Sequence, residues 1–149
     1  MKDYKFMAVS LMLFGLVIIA VSVISPFLYS TLTDILVNPE SVVLAETSYG
    51  NVTKIGPYGN ATSTVKVAYI VGVHPWEQDA HVAAVNAIKK MDKSLKYCYY
   101  IYQINVTGGM NSDYETGRMD GQVLAKRYVV PDILENNYQL VVDIHSNKG

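Results

Sequence analysis

The sequence predicts an α/β fold, in which helices flank a parallel or mixed β-sheet and one transmembrane helix precedes the sheet domain. A long apolar run opens the chain, and β-branched strand patterns alternate with amphipathic helix patterns after residue 64. Of the 149 residues, 50% are hydrophobic and 17% are charged, which is typical of a folded chain. A net charge of −1 without a long basic run gives no electrostatic footprint for nucleic acid, so we expect no such partner.

The apolar run lies at residues 6–29, after a short N-terminus at residues 1–5 that contains Lys2 and Lys5. About 20 helical residues suffice to cross the hydrocarbon core of a bilayer. The run therefore predicts a single-pass membrane anchor. Because positive residues stay on the cytoplasmic side, the rest of the chain is expected to be extracytoplasmic. A cleaved signal peptide is the alternative interpretation, although it normally has a shorter apolar core.

Residues 30–63 are rich in Thr, Asn, Pro and Gly and predict a stalk between the membrane and a domain at residues 64–149. Three Asn-x-Thr sequons lie in this outer part, at Asn51, Asn60 and Asn105. They are acceptors for N-glycosylation where the enzymes exist, or chance matches.

The predicted domain alternates strands with helices. Strands are predicted at 64–71, 96–106 and 140–144, and helices at 78–95 and 114–130, the second of them interrupted by Pro131. The order predicts a small three-stranded sheet with exposed edges. The second strand is rich in tyrosine, which we interpret as packing on both of its faces. The lone cysteine, Cys98, excludes an intramolecular disulfide and a multi-cysteine zinc site.

Residues with metal-binding side chains follow two of the predicted strands. His74 and Glu77 come after the first strand, and His145 comes after the third. The carboxyl ends of parallel strands face one crevice, so the three side chains converge if these strands are neighbours. Two imidazoles and one carboxylate, with a fourth position left for water, form the pattern of a catalytic zinc site. Asp143 is expected either to orient an imidazole or to pair elsewhere, and His81 to face solvent or the first helical turn.

Two segments resemble a known family. The segment Gly72–Glu77 (GVHPWE) resembles the Gly-[Val/Ile]-His-x-x-Glu zinc motif of the zinc carboxypeptidase superfamily, which includes the succinylglutamate desuccinylase/aspartoacylase branch. The segment Asp143–Ser146 (DIHS) is similar to the later strand of that superfamily, which ends in the third ligand. The resemblance covers residues 64–149. It implies Zn²⁺ as cofactor and hydrolysis of an amide bond in a peptide or acylated amino acid that carries a free carboxylate.

The resemblance also implies roles for arginine and for a general base. In the superfamily, arginines hold the substrate carboxylate and stabilise the oxyanion. Arg118 is the candidate here because it follows the Gly/Asn-rich loop, whereas Arg127 lies deeper in the predicted helix and is interpreted as structural. The superfamily's general-base glutamate comes after the third ligand, and only four residues follow His145. The domain is therefore expected to be a truncated, N-terminal portion of that fold.

Three explanations of the missing glutamate stay open: a fragment of a longer product, a second chain that completes the fold, or a non-catalytic remnant. We expect a membrane-anchored, zinc-dependent, carboxypeptidase-like hydrolase domain that is incomplete. The alternative is a non-catalytic metal- or ligand-binding module of the same fold. A third possibility is a structural domain whose histidines satisfy local hydrogen bonds.

Overall fold

The computed structural model describes residues 18–26 and 38–146. Residues 18–26 form helix α1, and Asn38–Gly149 constitutes a separate compact unit. Within the described ranges, no helix has both the length and the apolar character needed to cross a bilayer. Most of the predicted transmembrane segment at residues 6–29 lies outside the described residues.

The compact unit is an α/β fold built on a five-stranded mixed sheet. Its strands are β1 (Glu40–Thr47), β2 (Gly50–Gly59), β3 (Lys66–Val71), β4 (Cys98–Val106) and β5 (Leu140–Asp143). They lie in the order β1-β2-β4-β3-β5. The first two pairs in this order are antiparallel, whereas β3 is parallel to both β4 and β5. The predicted mixed sheet with flanking helices is confirmed.

The β1–β2 hairpin is a correction to the sequence analysis, which placed these residues in a stalk at residues 30–63. The glycines and the proline of β2 resemble turn punctuation, but β2 pairs with β4 along most of its length. The pairing shifts register between Ile55 and Tyr58, so that Gly56-Pro57 is accommodated as an irregularity in the strand. Val52 is fully buried. The sheet therefore has two strands more than predicted, and they precede the expected start at residue 64.

Three helices flank the sheet: α2 (Gln78–Met91), α3 (Tyr114–Leu124) and α4 (Val130–Asn136). A π-helical turn, Ala125–Val129, joins α3 to α4. The prediction that Pro131 interrupts the helix is wrong, because this residue lies in the first turn of α4. A proline is tolerated there, since the helix loses little from its missing N–H at the first turn.

Hydrophobic clusters cover both faces of the sheet. On one face, α3, α4 and the π-helical turn pack against Tyr102 and Ile104 of β4; on the other, α2 packs against Ile101. Successive side chains of β4 thus alternate between two cores, as strand geometry requires. The tyrosine-rich strand packs on both faces, as predicted, and Cys98 is buried within it.

A polar network anchors α4 to the sheet. The ammonium group of Lys54, on β2, lies 2.7 Å from Asp132 Oδ2, and the Tyr102 hydroxyl donates a hydrogen bond to the same oxygen at 2.5 Å. Tyr102 also bonds to the Tyr138 hydroxyl at 2.9 Å. Burial, followed by these hydrogen bonds, raises the pKa of Tyr102 well above its usual value. The tyrosine therefore stays protonated and remains a donor to Asp132.

Candidate metal centre

The topology brings the two histidine-bearing loops to one end of the sheet. Strands β3 and β5 are adjacent and parallel, with Ile70 opposite Asp143. Their carboxyl ends therefore lie side by side. His74 follows the end of β3 by three residues, and His145 follows the end of β5 by two. From the sequence, the three side chains are expected to converge if these two strands are neighbours, and the structure pairs them directly.

Two glycines allow close approach of the backbone around the loop that carries His74. Gly72 has a φ of +88°, and a Cβ at this position would collide with the carbonyl oxygen of Ile104 on β4. Gly121 on α3 packs so closely against Val73 that a Cβ there would overlap the Val73 carbonyl. Helix α3 thus lies directly against the loop. The loop continues into a 3₁₀ turn, Pro75–Glu77, in which the Glu77 N–H donates to the His74 carbonyl at 3.0 Å.

The side chains of His74, Glu77 and His145 meet at this end of the sheet. His74 Nδ1 lies 3.0 Å from Glu77 Oε1, and His145 Nδ1 lies 3.0 Å from Glu77 Oε2. The two imidazole rings are 4.6 Å apart between centroids. One ligand atom from each residue lies within 4.8 Å of the other two, so the group could hold a metal ion.

The donor set and the spacing both fit a transition metal. Zinc–ligand bonds of about 2.0–2.2 Å put the ligand atoms of one tetrahedral ion within roughly 3.5 Å of one another, so only small side-chain movements are needed. His74 Nε2 is buried and has no hydrogen-bond partner in the described part of the chain. His74 therefore makes its polar contact through Nδ1, the nitrogen that faces Glu77.

The Glu77 carboxylate is held in its charged form. The Ser146 N–H donates to Oε2 at 2.8 Å, in addition to the two histidine contacts. Burial alone would raise the pKa of Glu77, but these hydrogen bonds outweigh it and bring the pKa below its ordinary value. Because a carboxylate binds a metal only when it is deprotonated, the site presents Glu77 ready for ligation.

Asp143 contacts the far side of the His145 ring. Its Oδ2 lies 2.9 Å from His145 Nε2, while Nδ1 of the same ring faces Glu77. Burial lowers the pKa of His145, but the neighbouring Asp143 and Glu77 carboxylates raise it more strongly, so the net pKa is above its ordinary value. A carboxylate on one imidazole nitrogen and a ligand position on the other is the usual arrangement at metal-binding histidines.

The three side chains open onto a cavity of about 360 Å³. Its described lining consists of His74, Trp76, Glu77, Tyr114, Arg118, His145 and Ser146. Arg118 donates from Nη1 to the Tyr114 hydroxyl at 3.0 Å and lies over the Tyr114 ring. Arg118 thus lines the same cavity as the three candidate ligands, whereas Arg127 contacts Tyr49 and is not part of the described lining.

His81 was expected to face solvent or the first helical turn, and the structure corrects this expectation. Its relative exposure is 6%, and its Nε2 lies 3.1 Å from the carbonyl oxygen of Ile144. Burial lowers the pKa of His81, and its hydrogen bond to Ile144 offsets this only in part. The neutral ring therefore donates from Nε2, because a carbonyl can only accept. The sequence signal is the position of His81 one turn after Glu77, on the face of α2 that contains Ile88.

Comparison of the chain with protein-family models, with curated protein sequences and with solved structures gave no match. The assignment of a function therefore depends on the geometry of the site.

Proposed function

We propose that this chain is a zinc-dependent amide hydrolase domain of the carboxypeptidase type, anchored in a membrane by residues 6–29 with its sheet domain on the extracytoplasmic side. The observation that carries the proposal is the convergence of His74 Nδ1 and His145 Nδ1 on the two oxygens of Glu77, beside a cavity. Two imidazoles and one carboxylate favour zinc over magnesium or calcium, which prefer oxygen ligands.

Each residue of the centre has a definite task in this proposal. His74, Glu77 and His145 hold Zn²⁺, which when bound polarises a carbonyl group and lowers the pKa of water towards neutrality. Asp143 fixes the orientation of the His145 ring through its contact with Nε2. The Ser146 N–H fixes one oxygen of Glu77, so that neither carboxylate oxygen is without a partner.

Arg118 points to the class of substrate. It is the one cationic side chain other than histidine in the described lining of the cavity. A guanidinium binds a carboxylate through paired hydrogen bonds, and Tyr114 restricts the position of this one. A cavity of about 360 Å³ is within the usual range for small ligands. The proposed substrate is therefore a peptide or an acylated amino acid with a free carboxylate.

A second candidate is a module that binds metal and a carboxylate ligand without turnover. Hydrolysis needs a group that accepts a proton from the attacking water. Within the described lining of the cavity, Glu77 is the sole carboxylate, and the two histidines and Ser146 already contact it. This observation favours the module. A second chain that supplies a carboxylate at the cavity would convert the module into an enzyme.

Metal analysis of the purified full chain in detergent tests the centre itself. We expect one zinc per chain after dialysis against zinc-free buffer, and loss of stoichiometric zinc in His74→Ala and in His145→Ala. Glu135→Ala is the matched control, because Glu135 is an exposed residue on α4 and is not among the residues that line the cavity. A wild-type chain without zinc, or histidine variants that retain it, would refute the proposal.

A second experiment separates the hydrolase from the binding module. The zinc-loaded chain is incubated with dipeptides and acylated amino acids, each with a free or an amidated carboxyl terminus. A hydrolase releases the amine from the free acids, and Arg118→Ala removes the preference for them, whereas Arg127→Ala does not. Binding of the free acids in calorimetry without release of product identifies the module.

The membrane anchor is tested separately by alkaline extraction of membranes that contain the full chain. An uncleaved anchor keeps the chain in the membrane fraction. A soluble chain whose N-terminus follows residue 29 indicates instead that the apolar segment is a cleaved signal peptide.

A further inference from the structure

The three Asn-x-Thr sequons lie in different local structures. Asn51 is in β2 and Asn105 is in β4, and the two residues are opposite each other in the antiparallel pairing. Asn105 Nδ2 donates to Asn51 Oδ1 at 3.0 Å. Both asparagines thus belong to a cross-strand pair within the sheet. Their backbone cannot move away from the neighbouring strand without breaking hydrogen bonds between the strands.

The remaining polar groups of the Asn105 sequon are also occupied. Gln103 Nε2 donates to Asn105 Oδ1 at 3.3 Å, and the Thr107 hydroxyl donates to the carbonyl of Ser48 at 3.2 Å. The hydroxyl that the sequon requires is therefore bonded to another segment of the chain. In the folded sheet, this sequon does not present an available amide and hydroxyl together.

Asn60 lies in an exposed turn directly after β2. Its N–H donates to the Tyr97 carbonyl, and its carbonyl accepts from the Ser63 N–H, both at 3.0 Å, so the backbone of the turn is held at both ends. The Thr62 hydroxyl and the Thr62 N–H both donate to Asn60 Oδ1, at 2.7 and 3.0 Å. The threonine of the sequon thus contacts its own asparagine, and Nδ2 has no partner among the described residues.

We propose that Asn60 is an N-glycosylation site of the folded chain and that Asn51 and Asn105 are not. The donor is a lipid-pyrophosphate-linked oligosaccharide. A bond forms between Asn60 Nδ2 and C1 of the first sugar, and the C1–O bond to the pyrophosphate breaks. The lipid pyrophosphate leaves with the electron pair, and a base on the transferase takes the amide proton. In the cell, the modification also rests on the extracytoplasmic placement proposed above.

The test uses the purified, folded full chain in detergent and does not depend on its orientation in a membrane. The chain is incubated with the lipid-linked oligosaccharide and a single-subunit oligosaccharyltransferase that requires only Asn-x-Ser/Thr. Peptides that span each of the three sequons are incubated in parallel. Glycan positions are read by mass spectrometry. We expect all three peptides to be modified, and the folded chain to be modified at Asn60 alone.

Two variants check the assignment. Thr62→Ala abolishes modification of the folded chain, whereas Thr64→Ala, an exposed threonine of the same segment outside the sequon, leaves it unchanged. Modification of Asn51 or Asn105 in the folded chain would overturn the inference. So would an unmodified Asn60, whether or not its peptide is accepted. None of these results bears on zinc, so failure here is distinct from failure of the metal centre.

Discussion

His81 offers a sharp test of how the proposed metal centre is positioned. This buried residue is not one of the three candidate ligands, yet its Nε2–H bonds to the carbonyl of Ile144, the residue before His145. The Ile144 N–H in turn donates to Ile70 on β3 at 3.0 Å. Ile144 is therefore held from both sides, by α2 and by the sheet. We predict that His81→Ala loosens the segment that carries His145 and weakens zinc binding.

The expected magnitudes follow from the lost contacts. Removing the donor leaves the carbonyl of the half-buried Ile144 without its side-chain partner, which costs about 0.5–1.5 kcal/mol of unfolding free energy. Loss of a residue that positions a metal ligand typically weakens affinity by about 10–100-fold. His81→Gln retains a side-chain N–H donor of similar reach. We expect it to recover most of the zinc affinity even where it does not recover all of the stability.

Competition with a chromophoric chelator measures zinc affinity, and the visible spectrum of the Co²⁺-substituted chain reports the ligand geometry. Denaturant unfolding in the presence of a chelator gives stability separately. Asn86→Ala, a change elsewhere on α2, is the control. If His81→Ala lowers stability but leaves both the zinc affinity and the Co²⁺ spectrum unchanged, His81 has only a structural role and the reasoning is refuted.

Three further predictions concern pH, the Asp143 contact and the polar network. Because the folded-state pKa of His81 is lowered from the reference value of 6.5, the unfolded chain takes up a proton that the folded chain resists, so stability falls as pH falls below about 6.5. Metal-free His81→Gln should lack this component when unfolding midpoints are compared between about pH 7.5 and about pH 5.5; an identical loss in both proteins would contradict the assignment. Asp143→Asn should weaken zinc binding by about 10–100-fold with little change in melting temperature, because Asp143 is exposed but contacts His145; unchanged affinity in chelator competition would show that the contact does not orient the ring. Lys54→Met should destabilise the fold by about 1–3 kcal/mol, because Asp132 loses its charged partner, and adding Asp132→Leu should restore part of the loss; additive losses in denaturant unfolding would argue against coupling.

The order of the elements after residue 64 was predictable from local pattern. The strand at Lys66–Val71 is rich in β-branched residues, and the helix at Gln78–Met91 carries apolar residues at helical spacing. Because parallel strands place their carboxyl ends at one edge, the positions of His74 and His145 along the chain sufficed to predict that they meet. Predicting that the two histidines meet required only the sheet topology, and the alternation of strands and helices along the chain allows few topologies.

Other features depend on long-range contacts that local pattern does not contain. The glycines of β2 are typical of turns, and only pairing with β4 makes this segment a strand. The burial of His81 depends on the docking of β5 beside β3, some 60 residues away along the chain. The predicted helix ended before Pro131, although helical structure continues through this proline into α4. The π-helical turn at Ala125–Val129 connects α3 to α4, and the pattern of apolar residues does not reveal such a turn.

Strand β5 lies at one edge of the sheet, is four residues long and pairs only with β3 in the described part of the chain, yet it leads directly into His145. Its Leu140 and Val141 are 53% and 42% exposed. If zinc binds as proposed, mass action links occupancy of the ion to docking of this strand, since fraying of β5 removes a ligand. Zinc binding would then stabilise the paired state of β5 at the edge of the sheet. Hydrogen exchange of the β5 amides would therefore slow as the free zinc concentration rises.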